Sequence, residues 1–372
     1  MPKTADMDAS FMEMALWLAQ RGRGCTSPNP MVGALLVKRG EIIGEGWHRK
    51  AGGPHAEVEA LRDAARRGNN SDGSTLYVTL EPCCTHGRTP PCSEAIIAAG
   101  IQRVVVAATD PNPKHSGRAY SLFRRAGIEV CSGVLVEEAT RLNENFNHWI
   151  LQGTPFVTVK AAMTLDGKIA TATGESKWIT GTQSLAHAMK FRAAADAVLV
   201  GVNTVLLDDP ALTVRIGKTK AAKRRIILDS LARTTLDSQI VSDEFALLTT
   251  IVVTKAAPKR RVASLAKRVK VVVAPSCKGR PNLAWLLRRL GGEGVTSLLV
   301  EGGGEVNAAF LLEGLAQRAA FFYAPKILGD GDSRRAVAGV GARRLARVIS
   351  LREMEWRRLG EDLLLTARVG TA

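Results

Sequence analysis

The hydrophobic and polar positions of residues 1–150 alternate between two periods. Apolar runs with strand spacing are separated by segments in which apolar residues recur every three to four positions, as in amphipathic helices. Ser10 is the expected N-cap of the first helix, and the turn at 38–40 predicts a hairpin. The predicted order is helix 10–23, strands 31–37 and 41–47, helix 55–67, strand 75–80, helix 93–99, strand 103–109, helix 120–126, strand 128–133 and helix 135–151. This alternation indicates an α/β sheet with helices on its faces.

A second α/β series begins after Gly153. Gly153 followed by Pro155 is a typical helix stop, so we predict a boundary there, with domains at 1–152 and 153–372. The β-like runs of the second half are 156–163, 197–202, 224–230, 246–254, 269–275, 296–304 and 319–328. Two α/β domains also agree with the length of 372 residues.

The positive charge of the chain is concentrated in one segment. The formal net charge is +16, of which residues 1–150 contribute +1 and residues 218–289 contribute +13. Such a segment is either a solvated surface or a binding site for an anionic ligand. Its only aromatic residues are Phe245 and Trp285, which is few for an RNA-binding module that stacks bases on aromatic rings.

Composition and cysteine spacing narrow the class of protein further. Apolar residues make up 46% of the chain, which excludes a disordered protein. No run reaches the roughly 18 apolar residues of a membrane-spanning helix, and the acidic N-terminal segment does not resemble a signal peptide. Three of the six cysteines lie within ten residues of one another, which favours metal ligation over disulfides and predicts a cytoplasmic protein.

The strongest chemical signal is a His-x-Glu motif at His55 and Glu57, followed by a Pro-Cys pair at Cys83 and by Cys92. One imidazole and two thiolates supply the three protein ligands of a catalytic zinc, which keeps a fourth position for water. Zinc lowers the pKa of that water, and a nearby carboxylate can carry its proton to the leaving group. The pattern is typical of zinc deaminases. It predicts His55, Cys83 and Cys92 as Zn²⁺ ligands and Glu57 as the catalytic acid-base.

The spacing of the two cysteines leaves alternatives open. Eight residues separate Cys83 from Cys92, whereas the common deaminase motif has two. Cys84 and His86 lie between them and are alternative ligands. A structural zinc site would need a fourth protein ligand rather than an adjacent Glu. Without any metal, the same residues would be a buried histidine and unrelated apolar cysteines.

Four segments resemble the deaminase half of the RibD family of bifunctional riboflavin-biosynthesis enzymes, namely 27–33, 53–57, 80–92 and 110–113. In that family a long spacer before the second cysteine is usual. The resemblance implies a cytidine-deaminase-like α/β/α sandwich, the same three zinc ligands and the same glutamate. It also implies that Asn29 and Asp110 contact the substrate. The chain departs from the family at Thr85, where a histidine is usual and where His86 follows instead.

The second half resembles the reductase domain of the same family at 160–170, 174–180, 201–215 and 301–304. The resemblance implies a dihydrofolate-reductase-like α/β fold that uses NADPH. Taken alone, the glycine run at 302–304 is only a weak sign of phosphate binding at a helix N-terminus. The positions that the resemblance assigns to NADPH are Ala162, Trp178, Thr204, Asp208, Gly303, Gly304, Glu305, Val306, Asn307, Ala308 and Ala309. Those that it assigns to the substrate are Ser176, Arg192, Leu212, Arg215 and Glu301.

Three further hypotheses concern basic residues of this half. Lys160 ends a β-like run, and we expect it to bind the substrate and to polarise or protonate its sugar. Arg192 and Arg215 offer forked donors that suit a sugar phosphate. Lys255 and the pair at 259–260 follow a β-like run and are candidates for the 2′-phosphate that distinguishes NADPH from NADH.

Together the two resemblances imply a bifunctional enzyme of riboflavin biosynthesis. Zinc-dependent deamination of 2,5-diamino-6-ribosylamino-4(3H)-pyrimidinone 5′-phosphate would precede NADPH reduction of the ribosyl group, giving 5-amino-6-(5-phosphoribitylamino)uracil. The expected partner is this small phosphoribosyl pyrimidine, with no nucleic acid and no membrane, and a homo-oligomer is left open. One alternative is a tRNA or nucleic-acid zinc deaminase with a basic accessory domain. Another is a deaminase whose second half has only a structural role.

Overall fold

The computed structural model describes residues 4–85, 91–216, 219–342 and 344–370. The chain divides into two compact units, Met1–Gly153 and Thr154–Ala372. No helix in the described ranges is long and apolar enough to cross a membrane.

The first unit alternates helices and strands as the sequence predicts. Its elements are α1 Thr4–Gln20, β1 Gly33–Lys38, β2 Glu41–Trp47, α2 Ala56–Arg66, β3 Thr75–Leu80, α3 Cys92–Ala98, β4 Arg103–Ala108, α4 Arg118–Arg125, β5 Glu129–Ser132, α5 Val136–Leu142 and α6 Glu144–Gln152. The sheet has the order β2-β1-β3-β4-β5. β1 is antiparallel to both β2 and β3, whereas β3, β4 and β5 are parallel to one another.

Both faces of this sheet are covered, which explains why its central strands are apolar at nearly every position. Leu36 packs with α2, α3 and α4 on one face, and its neighbour Leu35 packs with α1 and α5 on the other. The predicted α/β/α sandwich is therefore confirmed. Gly46 lets α2 approach the sheet closely, because a Cβ there would lie 2.4 Å from the carbonyl oxygen of Ala56.

Two local predictions for the first unit are wrong. Ser10 is not an N-cap, since α1 begins earlier and the Ser10 hydroxyl donates to the carbonyl of Asp6 at 3.0 Å within the helix. The helix predicted at 135–151 is two helices separated by Asn143. The side chain of Asn143 is buried and exchanges two hydrogen bonds of 2.8 Å with the backbone of Met31. This long-range pairing competes with continuation of the helix.

The second unit contains a larger mixed sheet. Its elements are β6 Phe156–Thr164, β7 Lys168–Ala170, α7 Thr182–Ala194, β8 Ala197–Gly201, α8 Val202–Asp208, β9 Thr213–Ile216, β10 Thr219–Ala222, β11 Arg224–Leu228, α9 Gln239–Ser242, β12 Thr249–Val253, α10 Lys259–Ala266, β13 Lys270–Val273, β14 Ser276–Cys277, β15 Arg280–Pro281, α11 Leu283–Gly292, β16 Ser297–Val300, α12 Gly304–Leu312, β17 Arg318–Ala324, β18 Arg334–Arg335, β19 Leu351–Leu359 and β20 Asp362–Val369. Short 3₁₀ helices occupy Ala246–Leu248 and Leu345–Arg347.

The main sheet of the second unit has the order β13-β12-β11-β8-β16-β6-β17-β20-β19. The strands from β13 to β17 are parallel, β20 is antiparallel to β17, and β19 forms an antiparallel hairpin with β20. α11 and α12 cover one face, and α10 packs on the other. The α/β class of this unit is confirmed. The hairpin itself was not predicted, because β19 is an exposed, highly charged edge strand without an apolar stripe.

The basic segment 218–289 is partly neutralised. The fully buried guanidinium of Arg225 donates to both carboxylate oxygens of Asp243 at 2.7 and 2.8 Å. Arg224 forms an ion pair with Glu293, which lies outside the segment. Of these two pairs, only the one with Glu293 lowers the positive charge below the net value of the segment, because Asp243 is already counted in that value.

Candidate active sites

Three side chains of the first unit converge where α2 and α3 begin. His55 directly precedes α2, Cys92 opens α3, and Cys83 follows β3. The Nδ1 of His55 lies 3.5 Å from the Sγ of Cys83 and 3.2 Å from the Sγ of Cys92, and the three atoms lie within 4.8 Å of one another. A tetrahedral zinc with ordinary bond lengths separates nitrogen from sulfur by about 3.6 Å. The donor set and its spacing therefore fit zinc.

Backbone hydrogen bonds hold the two cysteines together. The N–H of Cys92 donates to the Sγ of Cys83 at 3.3 Å, and the N–H of Ser93 donates to the carbonyl of Cys83 at 3.2 Å. The hydrogen bond with the Cys92 side chain lowers the pKa of the Cys83 thiol, and the hydrogen bond with His55 acts in the same direction. Cys83 is thereby prepared for the thiolate form that binds a metal.

The described residues supply three ligands rather than four. Cys84 lies outside the ligand group and packs half-buried against the core, and this burial raises the pKa of its thiol. His86, the other alternative ligand, lies outside the described residues. Three ligands leave the open position that a catalytic zinc requires.

Glu57 lies in the first turn of α2, one residue after the helix begins. Its side chain is buried, with the whole residue 3% exposed. Burial raises the pKa of Glu57, and the positive charge of His55 opposes that effect. A carboxyl group with a raised pKa beside the ligands can exchange a proton near neutral pH.

A hydrogen-bonded chain links Asn29 to this site. The Nδ1 of the buried His48 lies 2.9 Å from the carbonyl oxygen of Pro54, so this nitrogen carries the hydrogen. The Nε2 of neutral His48 then accepts from the Nδ2 of Asn29 at 3.1 Å. The His48 ring packs edge-on against the ring of His55, with centroids 5.3 Å apart. Asn29 is thereby oriented through His48, a residue that the sequence did not single out for this role.

Glu81 organises the segment that carries Asp110. Its buried carboxylate accepts backbone N–H groups from Asp110 at 3.2 Å, Gly117 at 2.9 Å and Ala119 at 3.1 Å. Asp110 in turn accepts the N–H of Asn112 at 2.8 Å, and burial raises the pKa of Asp110. The only sequence signal for Glu81 was an acidic residue directly before the Pro-Cys pair.

In the second unit, strand register brings Lys160 and Glu301 together. Val159 of β6 pairs with Val300 of β16, so the next residue of each strand also lies side by side. Glu301 forms an ion pair with Arg192 of α7. Burial lowers the pKa of Lys160 although Glu301 opposes this effect. Burial acts to raise the pKa of Glu301, but the two cations outweigh it and the pKa is lowered.

Arg192 connects this group to the segment that carries Arg215. Its Nη1 donates to the carbonyl of Thr213 at 2.8 Å, two residues before Arg215 on β9. Its Nε is buried without a partner in the described residues. Arg215 is exposed. The two arginines predicted to bind the substrate thus lie on adjoining elements. The Nε of Arg192 has no hydrogen-bond partner among the described residues.

Ser176 and Asp208, which are predicted to contact the substrate and the cofactor, are hydrogen-bonded to each other, whereas the side chain of Leu212 is buried. The hydroxyl of Ser176 donates to Asp208 at 3.2 Å, so the predicted substrate and cofactor positions adjoin. Leu212 has a φ of 52°, and its side chain packs in the core at 4% exposure. The substrate contact expected at Leu212 stays a prediction, and with the side chain in the core it would be made by the backbone.

The glycine turn forms an uncapped helix N-terminus. Gly303 precedes α12, no side chain caps it, and the space where its Cβ would lie is open. Gly304 permits a close backbone approach, because a Cβ there would lie 2.1 Å from the carbonyl oxygen of Arg335. Such a turn leaves N–H groups free for a phosphate. The geometry fits the pyrophosphate of a dinucleotide.

Further along α12, the residues that are predicted to contact the cofactor differ in exposure. Glu305 is exposed and pairs with Arg280 at 3.0 Å. Asn307 is fully buried, and its Nδ2 donates to the carbonyl of Ala336 at 2.9 Å. Ala308 is also buried. The side chains of Asn307 and Ala308 therefore belong to the packing of the unit, whereas Val306 and Ala309 are half-buried against the core. The contact of these four residues with NADPH stays a prediction.

The remaining predicted cofactor positions lie on one strand, on one helix and in the segment between β7 and α7. Ala162 lies on β6 and Thr204 in the first turn of α8, and both are half-buried. Trp178 is 66% exposed, and its carbonyl accepts Nζ of Lys326 at 3.1 Å. An exposed indole is free to cover a ligand ring.

Comparison with known families covers both units. Residues 155–365 match the model of the RibD C-terminal domain. Residues 5–108 match the model of the cytidine and deoxycytidylate deaminase zinc-binding region.

Individual relatives match nearly the whole chain. The riboflavin biosynthesis protein RibD of Aquifex aeolicus is 47% identical over 360 residues, which cover 97% of this chain and 98% of the relative. That of Escherichia coli K12 is 40% identical over 370 residues, covering 96% and 98%. The solved structure of Acinetobacter baumannii RibD has a TM-score of 0.87 at 35% identity and covers 99% of this chain and 100% of its own. A diaminohydroxyphosphoribosylaminopyrimidine deaminase/5-amino-6-(5-phosphoribosylamino)uracil reductase from Thermotoga maritima has a TM-score of 0.85 at 36% identity, with coverage of 99% and 100%.

Proposed function

The chain belongs to the RibD family, and from this premise we propose that residues 1–152 carry a deaminase site and residues 153–372 a reductase site. The protein is a bifunctional deaminase and reductase of riboflavin biosynthesis that uses zinc and NADPH. The proposed substrate is the phosphoribosylated diaminopyrimidinone that the name of the Thermotoga relative describes. The observation that carries the deaminase assignment is the convergence of His55, Cys83 and Cys92 within 4.8 Å beside Glu57.

In the deaminase half, His55, Cys83 and Cys92 hold the zinc ion. When bound, zinc lowers the pKa of water so that a hydroxide nucleophile is available. Glu57 takes a proton from the attacking water and delivers it to the departing 2-amino group, which leaves as ammonia. Burial raises the pKa of Glu57, which favours the proton uptake that this double role requires.

Asn29 and Asp110 hold the pyrimidine in this scheme. Because His48 takes the Nδ2 of Asn29, the Oδ1 is left to accept from a ring or amino N–H of the substrate. Asp110 is held by Glu81 and accepts or donates according to its protonation state. Neither residue needs to move a proton in the reaction, so both serve to orient the ring.

In the reductase half, Lys160, Glu301 and Arg192 surround the reacting sugar. When bound, NADPH would supply the hydride that reduces C1′ of the ribosyl group. Lys160 polarises or protonates the sugar, and burial lowers its pKa toward the range in which proton transfer is easy. Arg215, which is exposed, binds the sugar phosphate through its forked donors. Arg192, whose terminal nitrogens bond Thr213 and Glu301, holds β9 in place beside the substrate, and Ser176 with the backbone of Leu212 completes the substrate pocket.

The cofactor would be held by residues from four elements. The N–H groups at Gly303, Gly304 and Glu305 hold the pyrophosphate at the start of α12. Thr204 and Asp208 line the edge formed by α8. Ala162 and Trp178 contact the nicotinamide, and Val306 and Ala309 contribute through the backbone of α12.

The proposed partner is a small molecule, with no nucleic acid and no membrane. The basic segment holds only two aromatic residues, Phe245 and Trp285, which does not favour an RNA-binding module that stacks bases on aromatic rings. All six cysteines are free, which supports a reducing cytoplasm. A second copy of the chain is compatible with the exposed edge strand β19, and light scattering measures the oligomeric state directly.

The experiment supplies the diaminopyrimidinone ribosyl phosphate with and without NADPH and measures ammonia and NADPH oxidation. Glu57→Gln should abolish ammonia release while the deaminated substrate is still reduced. Lys160→Met should do the reverse. Arg66→Gln, which alters an exposed residue of α2, and Lys270→Met, which alters an exposed lysine of β13, should leave both rates unchanged. Full reductase turnover by Lys160→Met, or ammonia release by Glu57→Gln at the normal rate, contradicts the assignment of that residue.

A further inference from the structure

An arginine without an acidic partner lies beside the predicted cofactor contact on α8. β11 runs parallel to β8, with Leu228 opposite Gly201, so the segments after both strands lie at one edge of the sheet. Arg233 follows β11, and its Nη2 donates to the Oδ1 of Asn203 at 2.7 Å. Asn203 directly precedes Thr204. Arg233 is exposed, and among the described residues no carboxylate forms an ion pair with its guanidinium.

The loop that carries Arg233 is held in one conformation. Asp229 is fully buried, and its carboxylate accepts the backbone N–H of Arg233 at 2.8 Å and that of Thr234 at 2.7 Å. Ala232 has a φ of 54°, a left-handed conformation that a residue with a Cβ rarely adopts, and its side chain is buried. A buried carboxylate and a buried methyl group therefore fix the backbone from which the Arg233 side chain extends.

A second guanidinium reinforces the positive charge at this point. The Nη2 of Arg261, in the first turn of α10, donates to the carbonyl of Arg233 at 3.1 Å. Arg261 is also exposed. The contact places the guanidinium of Arg261 against the backbone of the loop that carries Arg233, and the positive charge of both arginines favours an anion bound at this loop.

We propose that Arg233 binds the 2′-phosphate of NADPH and thereby selects NADPH over NADH. The inference rests on the proposed function, which places the pyrophosphate at Gly303 and the reacting sugar at Lys160. Along the strand order β11-β8-β16-β6, Lys160 lies on β6 and Gly303 follows β16. A dinucleotide that starts at β6 and crosses β16 extends its adenosine end over β8 toward β11. The Arg233 fork there matches the geometry of a phosphate.

This assignment replaces the candidates expected from sequence. Lys255 follows β12 and the pair at 259–260 opens α10, so these residues begin one strand further from α8 than Arg233 does. Arg233 is tied by a hydrogen bond to the residue next to Thr204.

The test measures binding of 2′,5′-ADP and of 5′-AMP by calorimetry, because the two ligands differ only in the 2′-phosphate. Arg233→Gln should raise the Kd for 2′,5′-ADP by about 10-fold or more, the loss expected when a charge-assisted hydrogen bond is removed. The Kd for 5′-AMP should stay within about two-fold. Arg233→Lys, which keeps the charge without the fork, should recover part of the loss. In steady state, the KM for NADPH should rise while the KM for NADH and both kcat values are unchanged.

The matched control is Arg268→Gln, an exposed arginine of the same basic segment that donates to the carbonyl of Leu236. It should bind both nucleotides like the wild type. Unchanged 2′,5′-ADP binding by Arg233→Gln overturns the inference, and loss of discrimination on replacing Lys255, Lys259 and Arg260 instead assigns the subsite to the α10 side. If the wild-type protein itself fails to bind NADP⁺, the proposed cofactor site fails, which is a separate result from a neutral Arg233 substitution.

Discussion

Glu81→Gln tests whether one buried carboxylate positions the deaminase substrate loop. Glu81 accepts three backbone N–H groups, two of them on Oε2 from Asp110 and Gly117 and one on Oε1 from Ala119. Glutamine keeps the size of the side chain but replaces one oxygen with an NH₂ group. The substitution therefore places a donor against at least one backbone donor in a buried site.

The magnitude follows from these three bonds. The best orientation of the glutamine keeps its oxygen toward Asp110 and Gly117, which leaves the N–H of Ala119 without an acceptor. A buried unsatisfied donor costs about 1–3 kcal/mol. The two bonds that remain lose their charge assistance, at about 0.5–1 kcal/mol each. The sum of about 2–5 kcal/mol favours displacement of the loop. A loss of 2 kcal/mol in transition-state stabilisation corresponds to about 30-fold in kcat/KM.

The assay follows ammonia release at several substrate concentrations for the wild type and for Glu81→Gln, with zinc content measured on each sample. We expect deaminase kcat/KM to fall at least about 30-fold, with zinc retained and with reduction of the deaminated substrate unchanged. Glu129→Gln is the matched control, because Glu129 is an exposed acid of the same unit that pairs with Arg103. A deaminase kcat/KM within two-fold of the wild type would refute the positioning role. So would an equal loss of the reductase activity.

Three further predictions concern the metal, a buried ion pair and pH. Removal of zinc by a chelator should abolish ammonia release and leave NADPH oxidation with deaminated substrate intact, and restoration by added Zn²⁺ checks the cause. Asp243→Ala leaves the fully buried Arg225 unpaired, which should cost about 3–5 kcal/mol and lower the Tm of the second unit by about 6–20 °C in calorimetry, whereas the exposed Asp237→Ala should not. The hydrogen bonds from Arg103 lower the pKa of Asp8 below 3.8, so the stabilisation is present above that pH and is lost as the pH falls through the folded-state pKa. Urea unfolding should show the wild type more stable than Asp8→Asn at pH 6, and a difference that does not shrink below about pH 4 would contradict this linkage.

The order of elements in the first unit was predictable because each element carries its own local period. The hairpin of β1 and β2 and the helices that follow are confirmed within a few residues. One of the two errors arose where a distant partner intervened. Asn143 leaves the helical pattern because Met31 offers it two backbone hydrogen bonds from 112 residues away. The hydrophobic pattern of the sequence near Asn143 gives no sign of that pairing.

The zinc donor set was predictable for a chemical reason. A metal of this kind accepts few residue types, and His55 and Cys92 stand where helices begin, so the local sequence already limits their positions. The roles of His48 and Glu81 were not predictable in the same way. Both act on neighbours through hydrogen bonds that depend on how loops pack, and histidine or glutamate in a loop has no distinctive spacing.

The sequence by itself determined the two α/β units, the zinc chemistry and the family, because period, residue type and motif spacing are local properties of the chain. Only the tertiary structure placed Glu301 beside Lys160, through the pairing of Val159 with Val300, and joined both to Arg192. Likewise, only strand order set Arg233 next to the start of α8, and only the folded chain paired Arg225 with Asp243. These contacts join residues that are tens to more than a hundred positions apart in the sequence. They depend on strand register and strand order, which are decided by the packing of the whole unit rather than by any short segment.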